Sequence, residues 1–212
     1  MMSFNEIARK IVLDLLEIGA IKLNLDEPFT WASGWKSPIY CDNRLALSYP
    51  DVRDYIKQAL CETIRKSFKG FEGVAGVATA GIPQGALVAD GLGLPFIYVR
   101  SKPKGHGLTN QIEGRIVQGQ KVVVVEDLVS TGGSSIKAVE AIRAAGMQVL
   151  GMISIFTYGF DLSIENFRRA DIHYVSLSDY NTLIRVAVEH NIISKDQVES
   201  LQSWRKSPES WG

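Results

Sequence analysis

The chain has 212 residues, 46% hydrophobic and 22% charged, and its 23 Lys plus Arg balance its 23 Asp plus Glu. That length suits one soluble domain with a full core, or one domain with a small appendage. Zero net charge argues against a general nucleic-acid binder, which is ordinarily basic, so an anion site here must be local.

Cys41 and Cys61 form no CxxC pair and sit near no His cluster. This argues against a disulfide scaffold or a structural zinc site and fits a reducing compartment. Glu6, Arg9, Lys10 and Asp14 interrupt the apolar N-terminus, unlike a signal peptide. No apolar run approaches the ~20 residues of a membrane span. A cytoplasmic protein without membrane partners is expected.

Phe4, Ile7, Ala8, Ile11, Val12, Leu15 and Leu16 recur at helical spacing, with Ser3 as N-cap and Gly19 as stop. This reads as an amphipathic packing helix. Ile21, Leu23 and Leu25 alternate as in a half-buried strand. Ser33-Gly34 is a turn signal between two short β-prone stretches, and a second helix is expected over about 51–68. From residue 73 short apolar runs alternate with helical patterns. Strands are expected at Gly73–Thr79, Leu94–Val99, Lys121–Val125, Val149–Phe156 and Ile172–Leu177. Helices are expected through Ala86–Ala89, over Ser134–Ala145 and over about Tyr180–His190. This β-α-β-α order predicts a parallel sheet flanked by helices. Four consecutive valines, Val122–Val125, suit a strand buried on both faces.

One stretch breaks the grammar. Ser101–Gly119 is polar and glycine-rich between two buried strands, as a functional loop often is. Isolated His173 and His190 read as structural or surface residues. Trp204 and Trp211 lie in a polar tail after Ser194, read as a surface helix with a frayed end.

The strongest chemical signal runs from Val122 to Ser134. A buried strand ends in Glu126 and Asp127; then come Leu128-Val129-Ser130-Thr131-Gly132-Gly133-Ser134 and a helix. Ligands of open α/β sheets bind at the carboxyl ends of strands. A helix N-terminus with unpaired N–H groups and a positive dipole end suits a phosphate. Gly132 and Gly133 would let the backbone approach it, the hydroxyls of Ser130, Thr131 and Ser134 add donors, and the two acids sit where sugar hydroxyls could be held. The bland alternative is a turn capped by Ser134, with both acids facing solvent. No Gly-Lys-Ser/Thr follows, so this is not a Walker loop. Gly91-Leu92-Gly93 lacks a third glycine and precedes a strand, so it is no dinucleotide fingerprint. A second segment, Tyr98-Val99-Arg100-Ser101-Lys102-Pro103-Lys104-Gly105-His106-Gly107, packs three cations and a histidine beside glycines. It reads as a movable clamp for a polyanion, or as a solvated loop.

The first segment resembles the phosphoribosyl diphosphate (PRPP) motif of type I phosphoribosyltransferases. The resemblance implies that Ser130–Ser134 grip the 5′-phosphate and that Glu126 and Asp127 hold the ribose. The second resembles the Arg-x-x-x-Lys-x-His-Gly loop of the orotate phosphoribosyltransferases, which implies diphosphate contacts for Arg100, Lys104 and His106 and a lid reaching the neighbouring subunit of a homodimer. Phe29-Thr30-x-x-Ser33-Gly34-x-x-Ser37-Pro38 resembles their N-terminal hairpin over orotate, with Tyr40 at its aromatic position. Ala78-Thr79-Ala80-Gly81-Ile82-Pro83 resembles their diphosphate-side loop.

The chain also departs from the family pattern. Ala32 and Ala80 stand where many members carry lysine, Ser101 where some do, and no arginine lies near Thr157-Tyr158. Orotate's carboxylate is therefore expected on backbone N–H groups and Ser130, with Lys36 and Lys102 as partial replacements.

The resemblance implies a type I phosphoribosyltransferase-like α/β core over 71–190, a hood with the N-terminal helix and hairpin over 1–70, and a C-terminal tail helix over 191–212. It implies a pentosyltransferase that moves a ribosyl phosphate from PRPP to orotate, with Mg²⁺ held mainly by substrate, in pyrimidine (UMP) biosynthesis. Lys104, His106 and Asp127 are the expected catalytic residues. Leu128 and Val129 join the PRPP set, and Ser130 and Tyr40 the orotate set. The alternatives are transfer to another base, or a PRPP-sensing regulator.

Overall fold

The computed structural model describes residues 3–31, 34–102 and 111–211. α1 (Phe4–Glu17) opens with the expected cap: Ser3 Oγ accepts from the Glu6 N–H, and the Glu6 carboxylate accepts from the Ser3 N–H. Its buried face carries Ile7, Ala8, Ile11, Val12 and Leu15. β1 (Ile21–Leu23) pairs antiparallel with β4 (Ile39–Cys41), and β2 (Phe29–Thr30) with β3 (Lys36–Ser37). A 3₁₀ helix (Asn43–Ser48) follows, then α2 (Pro50–Ser67), which starts on a proline as helices readily do.

The main sheet has six strands: β5 (Gly73–Val77), β6 (Phe96–Val99), β7 (Ile112–Glu113), β8 (Lys121–Val129), β9 (Gln148–Thr157) and β10 (Tyr174–Asp179). Their spatial order is β10-β9-β8-β5-β6-β7, all parallel except β7, which pairs antiparallel with β6. The valine run explains why β8 is central. Val123 and Val125 face a core shared with Ile56 and Leu60 of α2. Val122 and Val124 face Val139 and Ile142 of α4 (Gly133–Ala144). Successive side chains of a strand point to opposite faces, and each buried valine contributes roughly 1.5–3 kcal/mol.

From β5 the chain winds outward through α3 (Gly81–Leu92) to β6, and from β8 it winds the other way through α4 to β9. The order reverses between β5 and β8, and at such a switch point an open α/β sheet leaves a crevice beyond the carboxyl ends of its strands.

Several elements depart from the sequence expectations. β8 continues to Val129 instead of stopping at Val125, because Glu126, Leu128 and Val129 stay in register with Ser154, Phe156 and Thr157 of the long neighbouring strand β9. α4 is preceded by Gly132 at φ 81° and has no side-chain cap, so the bland alternative of a turn capped by Ser134 does not hold. The sequence expectations did not include α5 (Asp161–Arg169), which buries Ser163 and Phe167 and leaves Leu162 and Ile164 exposed, so its apolar residues do not mark its buried face. β7 was read as part of a loop, and two residues carry no period. α6 (Tyr180–Glu189) lies where expected. The surface reading of the tail is wrong for Trp204: α7 (Gln197–Lys206) buries it completely among Trp31, Tyr158, Phe160 and Tyr180. Val198, Leu201 and Trp204 recur at helical spacing and mark the buried face of α7, and an aromatic pocket contributed by distant segments receives the indole.

Candidate active site at the switch point

Glu126 and Asp127 lie within β8, so the strand aims them in opposite directions. Glu126 is 5% exposed and accepts hydrogen bonds from Ser135 Oγ at 3.2 Å and from the Asp127 N–H at 3.1 Å. The N-terminus of α3 presses against it: a Cβ at Gly81 would lie 2.7 Å from the Val125 carbonyl oxygen and 3.3 Å from Glu126 Oε1. Only glycine fits there, and the Ala78–Ala80 turn leading into α3 is thereby held beside the acid pair. Burial first, and the neighbouring Asp127 carboxylate second, push Glu126 well above the usual carboxylate range. Burial also raises Asp127. Two adjacent buried carboxylates whose pKa values are pushed upward are matched to something electropositive or hydroxyl-rich.

The loop after β8 has a built frame. Gly132 adopts a left-handed conformation that a side chain would strain, and a Cβ there would meet the Phe167 ring at 3.2 Å. Asn166 Nδ2 donates to the Thr131 carbonyl at 3.0 Å, so α5 holds the loop from behind. Thr157 Oγ1 and the Tyr158 N–H donate to the Val129 carbonyl at 3.2 and 3.1 Å. Val129 itself is 1% exposed, its side chain in the core. No side chain caps α4, so its first N–H groups remain for an anion in the loop.

The loop separates two recesses. One, of about 340 Å³, is lined by Thr30, Trp31, Tyr40, Cys41, Arg44, Leu128, Ser130 and Tyr158. Its walls are flat and aromatic: Tyr40 packs on Phe29 with ring centroids 5.7 Å apart, and Trp31 on Tyr158 at 5.0 Å. Asn43, fully buried, ties this wall to the acids by donating from Nδ2 to the Asp127 carbonyl at 2.8 Å. Cys41 Sγ donates to Asn43 Oδ1 at 3.4 Å; burial and the nearby Asp127 push its thiol well above its ordinary value.

The other recess, of about 220 Å³, lies between the ends of β5 and β6 and the first turns of α4, and Arg100, Ser134 and Lys137 line it. Arg100 Nη1 is buried, makes no hydrogen bond, and lies 3.5 Å from Glu113 Oε1. The Arg100 N–H donates to the Gln111 carbonyl at 2.8 Å, which extends the antiparallel pairing of β6 and β7. Lys104 and His106 lie outside the described residues.

The fold thus gathers Tyr40, Glu126, Asp127, Leu128 and Ser130–Ser134 around one crevice, with Arg100 beyond α4. Sequence reasoning missed Asn43, Arg44, Lys137, Ser135 and Asn166. Arg44 and Lys137 read as ordinary surface cations, and Asn166 sits in a helix whose apolar residues do not mark its buried face. Of the two lysines expected to replace the missing charges, Lys36 is engaged by Thr30 Oγ1 at 2.9 Å, and exposed Lys102 lines neither recess.

The chain is similar to known proteins over nearly its whole length. A family model described as "Phosphoribosyl transferase domain" matches residues 49–171. An orotate phosphoribosyltransferase of Cytophaga hutchinsonii is 56% identical over 203 residues, 96% of this chain and 97% of the relative. One from Porphyromonas gingivalis is 55% identical over 206 residues, 97% of this chain and 98% of the relative. Among solved structures, the orotate phosphoribosyltransferase of Aeropyrum pernix superposes with a TM-score of 0.75 at 30% identity, covering 87% of this chain and 99% of that one. A crevice of this form at the β5–β8 switch point, in a chain so close to these relatives over nearly its whole length, places the protein in the phosphoribosyltransferase family, in its orotate phosphoribosyltransferase branch.

Proposed function

We propose that the protein transfers the 5-phosphoribosyl group of PRPP to orotate, yielding orotidine 5′-monophosphate and diphosphate for UMP biosynthesis. The observation that carries this reading is the pairing of a glycine-rich, uncapped helix start with the Glu126–Asp127 pair, beside a flat aromatic recess at the same crevice.

In the reaction a bond forms between a ring nitrogen of orotate and ribose C1, and the C1–oxygen bond to diphosphate breaks, its electron pair leaving with diphosphate while the proton of that ring nitrogen is lost to diphosphate or solvent. C1 gains cationic character as the diphosphate departs. Asp127, with Glu126 behind it, holds the ribose hydroxyls and offers negative charge to that sugar. Ser130, Thr131, Ser134 and the N–H groups of Gly132 and Gly133 hold the 5′-phosphate, and Leu128 and Val129 contribute backbone. Tyr40 and Ser130 bind the base. Arg100, Lys104 and His106 face the diphosphate, where one preorganised donor can be worth about 3–4 kcal/mol in the transition state.

Two adjacent carboxylates are hard oxygen donors that suit Mg²⁺ but are too few for a protein cage, and no cluster of three metal-ligating side chains occurs among the described residues. Glu126 and Asp127 would hold a substrate-borne Mg²⁺ on the ribose side, and that ion would supply charge neutralisation for the diphosphate. A homodimer in which the loop that carries Arg100, Lys104 and His106 reaches the partner's site, excluding water from C1, completes the reading. No described helix is long and apolar enough to cross a membrane, and a cytoplasmic location is part of the proposal. So is the division into a hood with helix and hairpin over 1–70, a core over 71–190 and a tail over 191–212.

The test is loss of orotate absorbance with purified protein, PRPP and Mg²⁺, against parallel reactions with uracil, adenine, hypoxanthine and guanine. PRPP-dependent consumption of orotate is expected. Activity confined to another base would overturn the assignment of the base, and PRPP binding without turnover of any base would favour a regulator.

A further inference from the structure

We infer that Arg44 is the carboxylate-recognition residue of the base site, selecting a planar ring that carries an anionic group. The inference rests on the proposed transfer to orotate and adds a specificity determinant to it. Among the described residues lining the aromatic recess, Arg44 is the one cationic side chain. The other contributors are Thr30, Trp31, Tyr40, Cys41, Leu128, Ser130 and Tyr158, none of which can neutralise a carboxylate. The positions where a lysine was expected carry Ala32 and Ala80. Lys36 is engaged by Thr30 Oγ1 on the strand beside the recess and is not part of its lining.

The local geometry prepares Arg44 for such a ligand. Asp42 caps the 3₁₀ helix by accepting from the Arg44 N–H. It also accepts from one edge of the guanidinium, Nε to Oδ1 at 2.6 Å and Nη2 to Oδ2 at 2.9 Å, which leaves the Nη1/Nη2 edge free of it. Two of the five guanidinium N–H donors are thereby used, and three remain for a second planar acceptor. The pair orients the guanidinium without spending its charge on the interior, since the Arg44 side chain is 60% exposed. A carboxylate is the natural partner, because its two oxygens match the planar fork. Arg44 is also one residue from Asn43, which holds the Asp127 backbone, so the anion anchor and the ribose-binding strand end are rigidly related. That link would set the bound ring's distance from ribose C1.

The experiment is steady-state kinetics of wild type and Arg44→Gln with orotate and PRPP varied in turn, together with the Ki of orotamide, the uncharged isostere, as a competitor of orotate. Wild-type turnover of orotate comes first; its absence would overturn the proposed function, and this inference with it, before any variant is compared. Given that turnover, Arg44→Gln is expected to raise KM for orotate about 10- to 100-fold, the range for a hydrogen bond to a charged group. KM for PRPP and the Ki of orotamide should stay close to wild type. An unchanged KM for orotate overturns the inference. Equal rises for orotate, PRPP and orotamide overturn it too, because they would mark Arg44 as a support of the strand end alone. The exposed position of the side chain means the variant folds, and an unchanged melting temperature would confirm this.

Discussion

Trp204→Ala should loosen the base-binding wall from a distance. Trp204 is fully buried, and its indole N–H donates to the Lys36 carbonyl at 3.1 Å, across the chain from α7 to β3. Its ring meets Trp31, Phe160 and Tyr180 at centroid distances of 5.5 Å and Tyr158 at 5.8 Å. Two of those rings, Trp31 and Tyr158, line the aromatic recess. Truncating a buried Trp to Ala costs about 3–5 kcal/mol, and at about 2–4 °C per kcal/mol for a chain of this size the melting temperature should fall by roughly 6–20 °C. Trp204→Phe keeps most of the ring and loses mainly the hydrogen bond, roughly 0.5–1.5 kcal/mol. Thermal melts of the three proteins give the ladder. Kinetics well below the variant's melting temperature give the functional half: KM for orotate rises while KM for PRPP holds, because the phosphate loop is braced by α5 and not by α7. A melting temperature within 2 °C of wild type, measured against that ~6 °C minimum, would refute the packing argument. Parallel rises in both KM values would refute the division of labour.

Three further outcomes are expected. Lys104→Ala should lower turnover on the order of 10²-fold or more, as loss of one preorganised charge does; an unchanged rate under saturating substrates would remove the segment from the mechanism. Asp127→Asn should weaken PRPP use, read as a higher KM for PRPP, and equal affinity and rate would sink the ribose-holding role. Glu126→Gln should impair turnover yet stabilise the ligand-free protein, because burial holds the Glu126 pKa well above its ordinary 4.5. A raised folded-state pKa contributes stability that is present below the unfolded value and is lost as pH rises through the folded one. The variant's advantage should therefore be largest at alkaline pH and shrink as pH falls toward 4.5. A gain on the order of 1 kcal/mol would read as about 2–4 °C, and an advantage that grows on acidification would reverse the assignment.

The sequence by itself determined the elements with strong periodicity and the chemistry written in contiguous residues. The valine run, the adjacent acids and the Ser-Thr-Gly-Gly-Ser turn specify a buried strand, a charge pair and a helix start within thirteen positions, because strand period and helix capping are local rules. Tertiary structure alone decided the rest, since it depends on segments brought together from far apart. That Asn43 holds Asp127, that Asn166 braces Thr131 and that Gly81 is confined by the Glu126 backbone are pairings across 84, 35 and 45 positions, and no local pattern encodes them. Trp204 shows the same limit. Val198 and Leu201 share its face of α7, but the rings that enclose it come from β9's end, α6 and the N-terminal hairpin. Arg44 had the appearance of any exposed cation beside an aspartate, and only the folding of the hairpin over β8 makes it the charge at the mouth of an aromatic recess.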